Sequence, residues 1–411
     1  MNRRISITEL LAEVLFAFLL FYLAYKTAFV GVDYSIHVAK LEGFDFSQTA
    51  AYLKEHPEPL WHLSVAGVFR LLSMPFFGKF PFVAGTLQQA AAVTSGIYYA
   101  LMYFAACRII GLFEAEVKRP MLAFVCFCLH VAAAIYVPFF NETPYLGQGS
   151  PNVWHNPTTI GVKWVALIVF MLTAAELTRM VKTDFTKNVR IVPGILIALL
   201  MVISNLYKPS LVMVYYPAVF MICLVWLIRY RGRNLRHCFE LLLICLPSLA
   251  LMIRQYMVSF GGTGSGGGLE FAPFKTASIY TPNILISTLL LLAFPLFMLL
   301  VSLIGKHMDM ADWFGWLMLL AGLAEKLLLA ETGERASHGN FSWGYLLAVY
   351  FVWFLAIRDY MCLWQTRSLY AVRVLRVRDH VLCFFATVLL TLHVLSGAYY
   401  LYYLIVLGNG I

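Results

Sequence analysis

Long apolar runs separated by short polar ones dominate this chain. Eleven of them approach or exceed the ~20 apolar residues that a helix needs to cross ~30 Å of hydrocarbon. They fall at about 9–29, 84–110, 120–140, 158–180, 190–206, 209–228, 238–257, 283–304, 311–330, 343–358 and 381–406. One further apolar stretch, Pro59 to Met74, is short, and as a helix of about 16 residues it would reach only ~24 Å. On a helix Glu58, His62, Arg70 and Ser73 share one stripe, with Leu60, Trp61, Leu63, Val68 and Leu71 elsewhere, which suits a helix lying in the membrane interface. The pattern predicts an all-α polytopic membrane protein of about eleven transmembrane helices plus that interfacial helix, as one integral membrane domain over 1–411.

Composition agrees with lipid as the solvent, because 61% of the 411 residues are hydrophobic and only 12% are charged. The net charge of +9 would raise nucleic acid as a partner for a soluble protein. Here it has another cause, since Lys and Arg accumulate in cytoplasmic loops, and no nucleic-acid partner is expected. With the N-terminus inside, the inner loops collect Arg3, Arg4, Arg108, Lys118, Arg119, Arg179, Lys182, Arg229, Arg231, Arg233, Arg236 and Arg358. Counting Pro59–Met74 as a crossing would put Arg229 to Arg236 outside. The first apolar run, Leu10 to Val30, exceeds the ~7–15 residues of a signal-peptide core and is expected to stay as the first span. All eight cysteines lie in spans or basic loops, so neither a disulfide framework nor a cysteine zinc site is indicated. The expected setting is a cell membrane, bacterial, with multiple passes and a cytoplasmic N-terminus.

That topology gives the outer side the longer loops, 30–83, 141–157, 258–282 and 331–342. The first of these opens with Gly31-Val32-Asp33-Tyr34-Ser35-Ile36-His37. If helical, it puts Asp33, His37 and Lys40 on one face, with Asp33 placed to take a proton from an attacking hydroxyl or simply to cap the helix. The second holds Glu142, Asn152, Trp154 and His155 and no basic residue, a set suited to hydrogen bonding and stacking on sugars. Lys163, Lys208, Arg254, Lys326 and Arg335 lie near outer helix ends, where the orientation rule disfavours cations. Lys208 and Arg335 are read as phosphate ligands and Arg254 as snorkelling to headgroups. His62, His155 and His338 lie on the same side at spacings that match no metal motif, so no metal is expected. The run Gly261 to Gly268 lacks the Lys-Ser/Thr ending of a phosphate loop and reads as a lid or linker in the Gly-rich outer loop 258–282.

This layout resembles the GT-C class of membrane glycosyltransferases, which use lipid-phosphate-linked sugars on the non-cytoplasmic side. The resemblance rests on an inner N-terminus, on Asp33 directly after span one, and on Glu58-Pro59-Leu60-Trp61-His62-Leu63 as a Pro-Leu-Tyr-type juxtamembrane segment. A second span ending in a basic turn at Arg108 completes it. As sequence it covers about residues 28–112. The class has a paired acidic motif where this chain has Asp33-Tyr34, the next acids being Glu42 and Asp45, so Asp33 alone carries over as base. The implied activity is transfer of a sugar from a polyprenyl-phosphate carrier to a glycan, lipid or protein acceptor, with membrane lipids as the other partners and no further cofactor. Asp33 and His37 are expected to be catalytic, base and orienter. Lys208 and Arg335 are expected to hold phosphate, and Glu142, His155, His62, Asn152 and His338 to contact substrate. The alternatives are a transporter or a lipid-linked glycan flippase or polymerase, and an acyltransferase.

Overall fold

The computed structural model describes residues 7–79, 85–113, 119–260, 268–333, 336–366 and 373–408. Its elements in chain order are α1 (Ile7–Thr27), α2 (Val32–Ala39), α3 (Thr49–Glu55), α4 (Leu60–Leu72), α5 (Leu87–Phe113), α6 (Arg119–Val131), α7 (Pro157–Lys182), α8 (Ile191–Tyr207), α9 (Ser210–Arg229), α10 (Leu235–Phe260), β1 (Leu269–Phe271), α11 (Lys275–Tyr280), α12 (Ile284–Gly305), α13 (Met310–Leu328), β2 (Leu329–Glu331), α14 (Ser342–Thr366) and α15 (Arg373–Ile405). Among the described residues eight helices are long and apolar enough to cross a membrane: α1, α5, α7, α9, α10, α12, α14 and α15. The chain is a multi-pass, membrane-embedded helical protein. Among the described residues β1 and β2 form a short antiparallel pair with Leu269 opposite Glu331.

α14 runs through the centre of the bundle, with every residue from Tyr345 to Ile357 buried. It packs against α6, α7, α9, α12, α13 and α15, while α1, α10 and α15 turn long apolar faces outward, as lipid-facing helices do. Side chains fix which helix ends lie together. At one end the Gln88 amide donates to the Ala28 carbonyl, so α2 follows α1 beside the start of α5. At the other end buried Glu13 accepts from Arg108 at 2.6 Å and lies 3.6 Å from Arg119. Arg358 there binds Asp309, Asp312 and Asp359 at 2.7–3.0 Å. Charge is thus sorted: an arginine-rich end, and an opposite end built from α2, the 141–156 loop and the β1–β2 pair.

The apolar run 120–140 does not form one helix, contrary to the hydropathy reading. α6 stops at Val131 and the chain continues as irregular, buried backbone through Ala132, Ala133 and Ala134. Backbone groups freed inside a membrane bundle must find partners within the protein, and Leu129, Ala132, Ala133, Ile135 and Tyr136 do. Asn152 Nδ2 donates to Leu129 O at 2.7 Å and Ala132 O at 2.9 Å. Ala133 N donates to His393 O, Ile135 N to Leu290 O and Tyr136 N to Ser396 Oγ. His393 Nδ1 donates to Ala133 O at 2.6 Å, and its Nε2 accepts Phe294 N at 3.3 Å. The Asn152 amide nitrogen is therefore committed as a staple for the broken helix, while its Oδ1 is buried with no hydrogen-bond partner among the described residues. Lys163, fully buried, likewise holds the 151–157 turn by donating to Pro151 O.

The interfacial stretch is α4, helical as read, but its polar stripe divides. His62 turns inward with Trp61, Val65 and Ala66, while Arg70 and Ser73 stay partly or fully exposed. The helix packs on α5, and van der Waals contact decided the orientation over polarity. Arg254, expected to snorkel, donates to Leu53 O at 2.8 Å and ties α10 to α3.

The break depends on close approach of α15. A Cβ at Gly397 would lie 1.8 Å from Val131 O, which no rotamer relieves. Gly397→Ala is expected to destabilise the protein by about 2–4 kcal/mol, read as a lowered thermal midpoint in detergent. Gly232→Ala, whose added methyl meets no neighbouring atom, is expected to cost less despite its positive φ.

Candidate functional site

At the end opposite the arginines lies a cavity of about 370 Å³, lined among others by Asp33, Tyr145, His155, Tyr280, Lys326, His338, Trp343 and Tyr345. Its walls come from α2, the 141–156 loop, α11, the start of α12, the end of α13, the loop at His338 and the start of α14.

Asp33 reaches it because α2 begins directly after α1. Gly31 occupies the N-cap, and no side chain caps the helix, so the capping role open to Asp33 from sequence is not used. Gly31 has no room for a side chain: a Cβ there would meet the Tyr34 ring at 3.0 Å and His155 O at 3.3 Å. That contact seats the α2 turn against the 141–156 loop. Asp33 is in the first turn, where a carboxylate is favoured by the helix dipole.

The residue that holds Asp33 is Asn156. It is the N-cap of α7, followed by Pro157 at N1, a pairing that starts helices well. Asn156 Oδ1 accepts from Thr159 N at 3.0 Å, Thr158 Oγ1 at 3.1 Å and Lys208 Nζ at 3.2 Å. Three donors on one oxygen fix the amide's orientation, leaving Nδ2 to donate to Asp33 Oδ2 at 2.6 Å. The expected pairing of His37 with Asp33 is replaced by this bond, and His37 lies 3.0 Å from His62 instead.

Lys208 is the C-cap of α8, two residues before α9 begins. Besides Asn156 it donates to Thr159 Oγ1 at 3.2 Å, and its Nζ sits 3.8 Å over the Trp343 ring, close enough for a cation–π attraction. Burial lowers its pKa to about 8, against the opposing pull of Glu58 and Asp33. It stands behind Trp343, a cavity wall, rather than facing the space directly. Lys326 lines the cavity itself, with Nζ 4.6 Å over the Tyr345 ring.

The other expected residues divide. His155 lines the cavity, its Nδ1 2.9 Å from Tyr400 OH and its ring edge-on to Tyr145 at 4.5 Å. Burial lowers its pKa. His338 also lines it, from an exposed position. Glu142 does not: its side chain is exposed, and its carbonyl accepts from Tyr136 OH. His62 is buried under α2, outside the cavity wall. Arg335, and Gly261 to Gly267 of the glycine run, lie outside the described residues.

Sequence reading passed over Asn156, although Asn-Pro is a recognisable helix start, and gave Lys326 no role. Tyr280 and Trp343 were missed too. Tyr280 OH donates to Ser337 O, and Trp343 Nε1 donates to Asn340 Oδ1 at 3.3 Å, so both are pinned to the loop that closes one side.

No protein-family model matches the chain, and no curated protein does. Function is therefore argued from the site's own chemistry.

The Lys208 titration tests this geometry. With a pKa of about 8 against ~10.4 for a free lysine, the charged form is disfavoured by folding. The folded chain then binds fewer protons than the unfolded one between those two values, so Lys208 makes stability rise with pH across that window. Reductive ¹³C-methylation followed by NMR should show Lys208 titrating near pH 8. Asp33→Asn should move that midpoint lower, because a neighbouring negative charge is lost; an unchanged midpoint would show that the two groups do not interact.

Proposed function

We propose that the chain is a glycosyltransferase that moves one sugar from a polyprenyl-phosphate carrier to a hydroxyl acceptor on a glycan, lipid or protein. In this reading eleven segments cross the membrane: the eight long apolar helices plus α6 with its irregular continuation, α8 and α13. The N-terminus and the arginine-rich end face the cytoplasm, and the cavity opens on the other side, in a bacterial cell membrane. A site there has no access to cytosolic nucleotide sugars and needs a donor delivered on a lipid.

The observation that carries the reading is the meeting of one carboxylate, one lysine and an aromatic wall in a single cavity: Asp33, Lys326, and Tyr145, Tyr280, Trp343 and Tyr345. Aromatic faces stack on sugar rings, and Lys326 compensates the charge that builds on a departing phosphate. Asn156 engages one Asp33 oxygen, leaving Oδ1 to accept a proton. The acceptor oxygen bonds to the sugar's anomeric carbon as the carbon–oxygen bond to phosphate breaks. The hydroxyl proton goes to Asp33, the electron pair goes to the phosphate, and the anomeric configuration inverts. Lys208, linked through Asn156 and resting on Trp343, adds positive potential from behind the wall. Ala277, Ile284 and Leu346 give the cavity an apolar side, continuous with exposed Ile279 and Leu285, along which a lipid chain can lie.

A transporter or flippase needs a polar route to the far end. The cavity's wall comes wholly from one end of the bundle, and beyond it α14 is packed with Leu347, Val349, Phe351 and Trp353, which favours transfer over translocation.

Purified protein offered a panel of lipid-phosphate sugars should be thermally stabilised by its own donor and should transfer the sugar to acceptor. Asp33→Asn should cut turnover by about 10²–10⁴-fold with an unchanged melting midpoint. Lys326→Gln should lower turnover with little change in stability. Full turnover in Asp33→Asn would remove the base and with it this mechanism.

A further inference from the structure

A second pair of chemistry-capable groups lies one helical turn from Asp33, unused by the transfer step. His62, in the first turn of α4, is 3% exposed, and its Nδ1 lies 3.3 Å from the carbonyl oxygen of Glu58. A carbonyl only accepts, so Nδ1 carries the proton and Nε2 is a bare lone pair. That Nε2 is 3.0 Å from His37 Nδ1, so His37 Nδ1 must donate. One backbone carbonyl thereby sets the tautomer of both rings and leaves His37 Nε2 as an acceptor. Trp61 stands edge-on to both imidazoles, at 5.7 and 5.4 Å, and holds the pair in place. Among the described residues no donor meets His37 Nε2.

Electrostatics keep the arrangement in this state. Burial, then His62, Lys40 and Lys208, hold the His37 pKa down at about 2. Burial and Lys40 hold His62 at about 3. Both rings stay neutral at physiological pH, so His37 offers a lone pair and no charge.

His37 follows Asp33 by four residues on α2, so the two share a helix face with a rise between them of roughly 6 Å. The Asp33 oxygen not engaged by Asn156 is also acceptor-only. At Asp33 and His37 the face therefore presents two hydrogen-bond acceptors in series, which are satisfied by a ligand that brings donors, while the face's cation, Lys40, stands exposed one turn further on. A phosphate or carboxylate brings lone pairs against lone pairs and leaves both sides unpaired, at a cost.

We propose that the Asp33–His37 face of α2 is a subsite for a neutral polyhydroxylated acceptor, one hydroxyl donating to Asp33 and another to His37 Nε2. This rests on the reading that Asp33 serves sugar transfer, and it adds that the acceptor is an uncharged glycan or polyol where it meets α2, and not an anionic headgroup.

The test is ¹⁵N-histidine NMR of the full chain in lipid nanodiscs, with the His37 signals assigned by their loss in His37→Ala. The expected result is a protonated Nδ1 and a bare Nε2. Methyl α-D-glucopyranoside should move the Nε2 resonance toward hydrogen-bonded values, while inorganic phosphate leaves it in place. His62→Phe, which keeps the aromatic packing, should release the tautomer and give a mixture. A protonated Nε2, or a resonance moved by phosphate and not by the glycoside, overturns the subsite even in an active transferase. A glycoside-responsive bare Nε2 supports the subsite even if no lipid-phosphate sugar is turned over. Where turnover is measurable, His37→Ala should raise the acceptor KM about 3- to 10-fold, the loss of one neutral hydrogen bond, and leave the donor KM unchanged.

Discussion

Inside a bilayer every backbone N–H and C=O needs a protein partner, and the cavity end of this protein depends on how that need is met where the apolar helix α6 stops short. α6 gives up its ladder at Val131, and the freed groups are taken by Asn152, His393 and Ser396, drawn from a loop and from α15. Gly397 permits the approach. The consequence is positional. Because Asn152 is anchored to the end of α6, the next four residues lead through a bend to the start of α7 and bring His155 and Asn156 to α2. An uninterrupted α6 would leave Asn152 without those carbonyls and the loop without its anchor.

From that anchoring follows the electrostatic design of the cavity end. Asn156 works as a fixed dipole, its oxygen saturated by Lys208 and two threonines and its nitrogen committed to Asp33. Lysine and carboxylate are thereby kept in one network without a direct ion pair, and each is left able to respond to a ligand. The arginine-rich end is built the opposite way: Glu13, Glu176 and Asp312 are buried and paired with arginines directly. Removing one partner of such a pair is costly, as suits groups that hold helices together and do no chemistry.

Hydropathy made the bundle legible, because ~20 apolar residues leave few alternatives to a helix in lipid. The reading of Pro59–Met74 as a separate short helix rested on length, and α4 is that helix. What hydropathy could not see was conformation within an apolar run. Ala132-Ala133-Ala134-Ile135 reads equally as helix or irregular chain, and the choice was made by His393, Ser396 and Gly397, some 260 positions away. The same non-locality hid the β1–β2 pair, whose strands are three residues each. At the site, Asp33 and His155 stood out by residue type and loop position, and both line the cavity. Asn152 looked equally suitable and turned out to be a staple, because an amide serves a carbonyl as readily as a sugar. Lys326 sat in an apolar helix end whose facing could not be read without neighbours.

In the proposed reading the Asp33 cavity opens on the side of the membrane away from the arginine-rich loops, where only a lipid-borne donor can reach it. Cysteine accessibility in intact cells tests this most directly. In a cysteine-free background, a membrane-impermeant maleimide should label Ser337→Cys at the cavity loop without permeabilisation, and Arg231→Cys only after it. Labelling of Arg231→Cys in intact cells, with Ser337→Cys protected until lysis, would place the cavity in the cytoplasm and contradict the account.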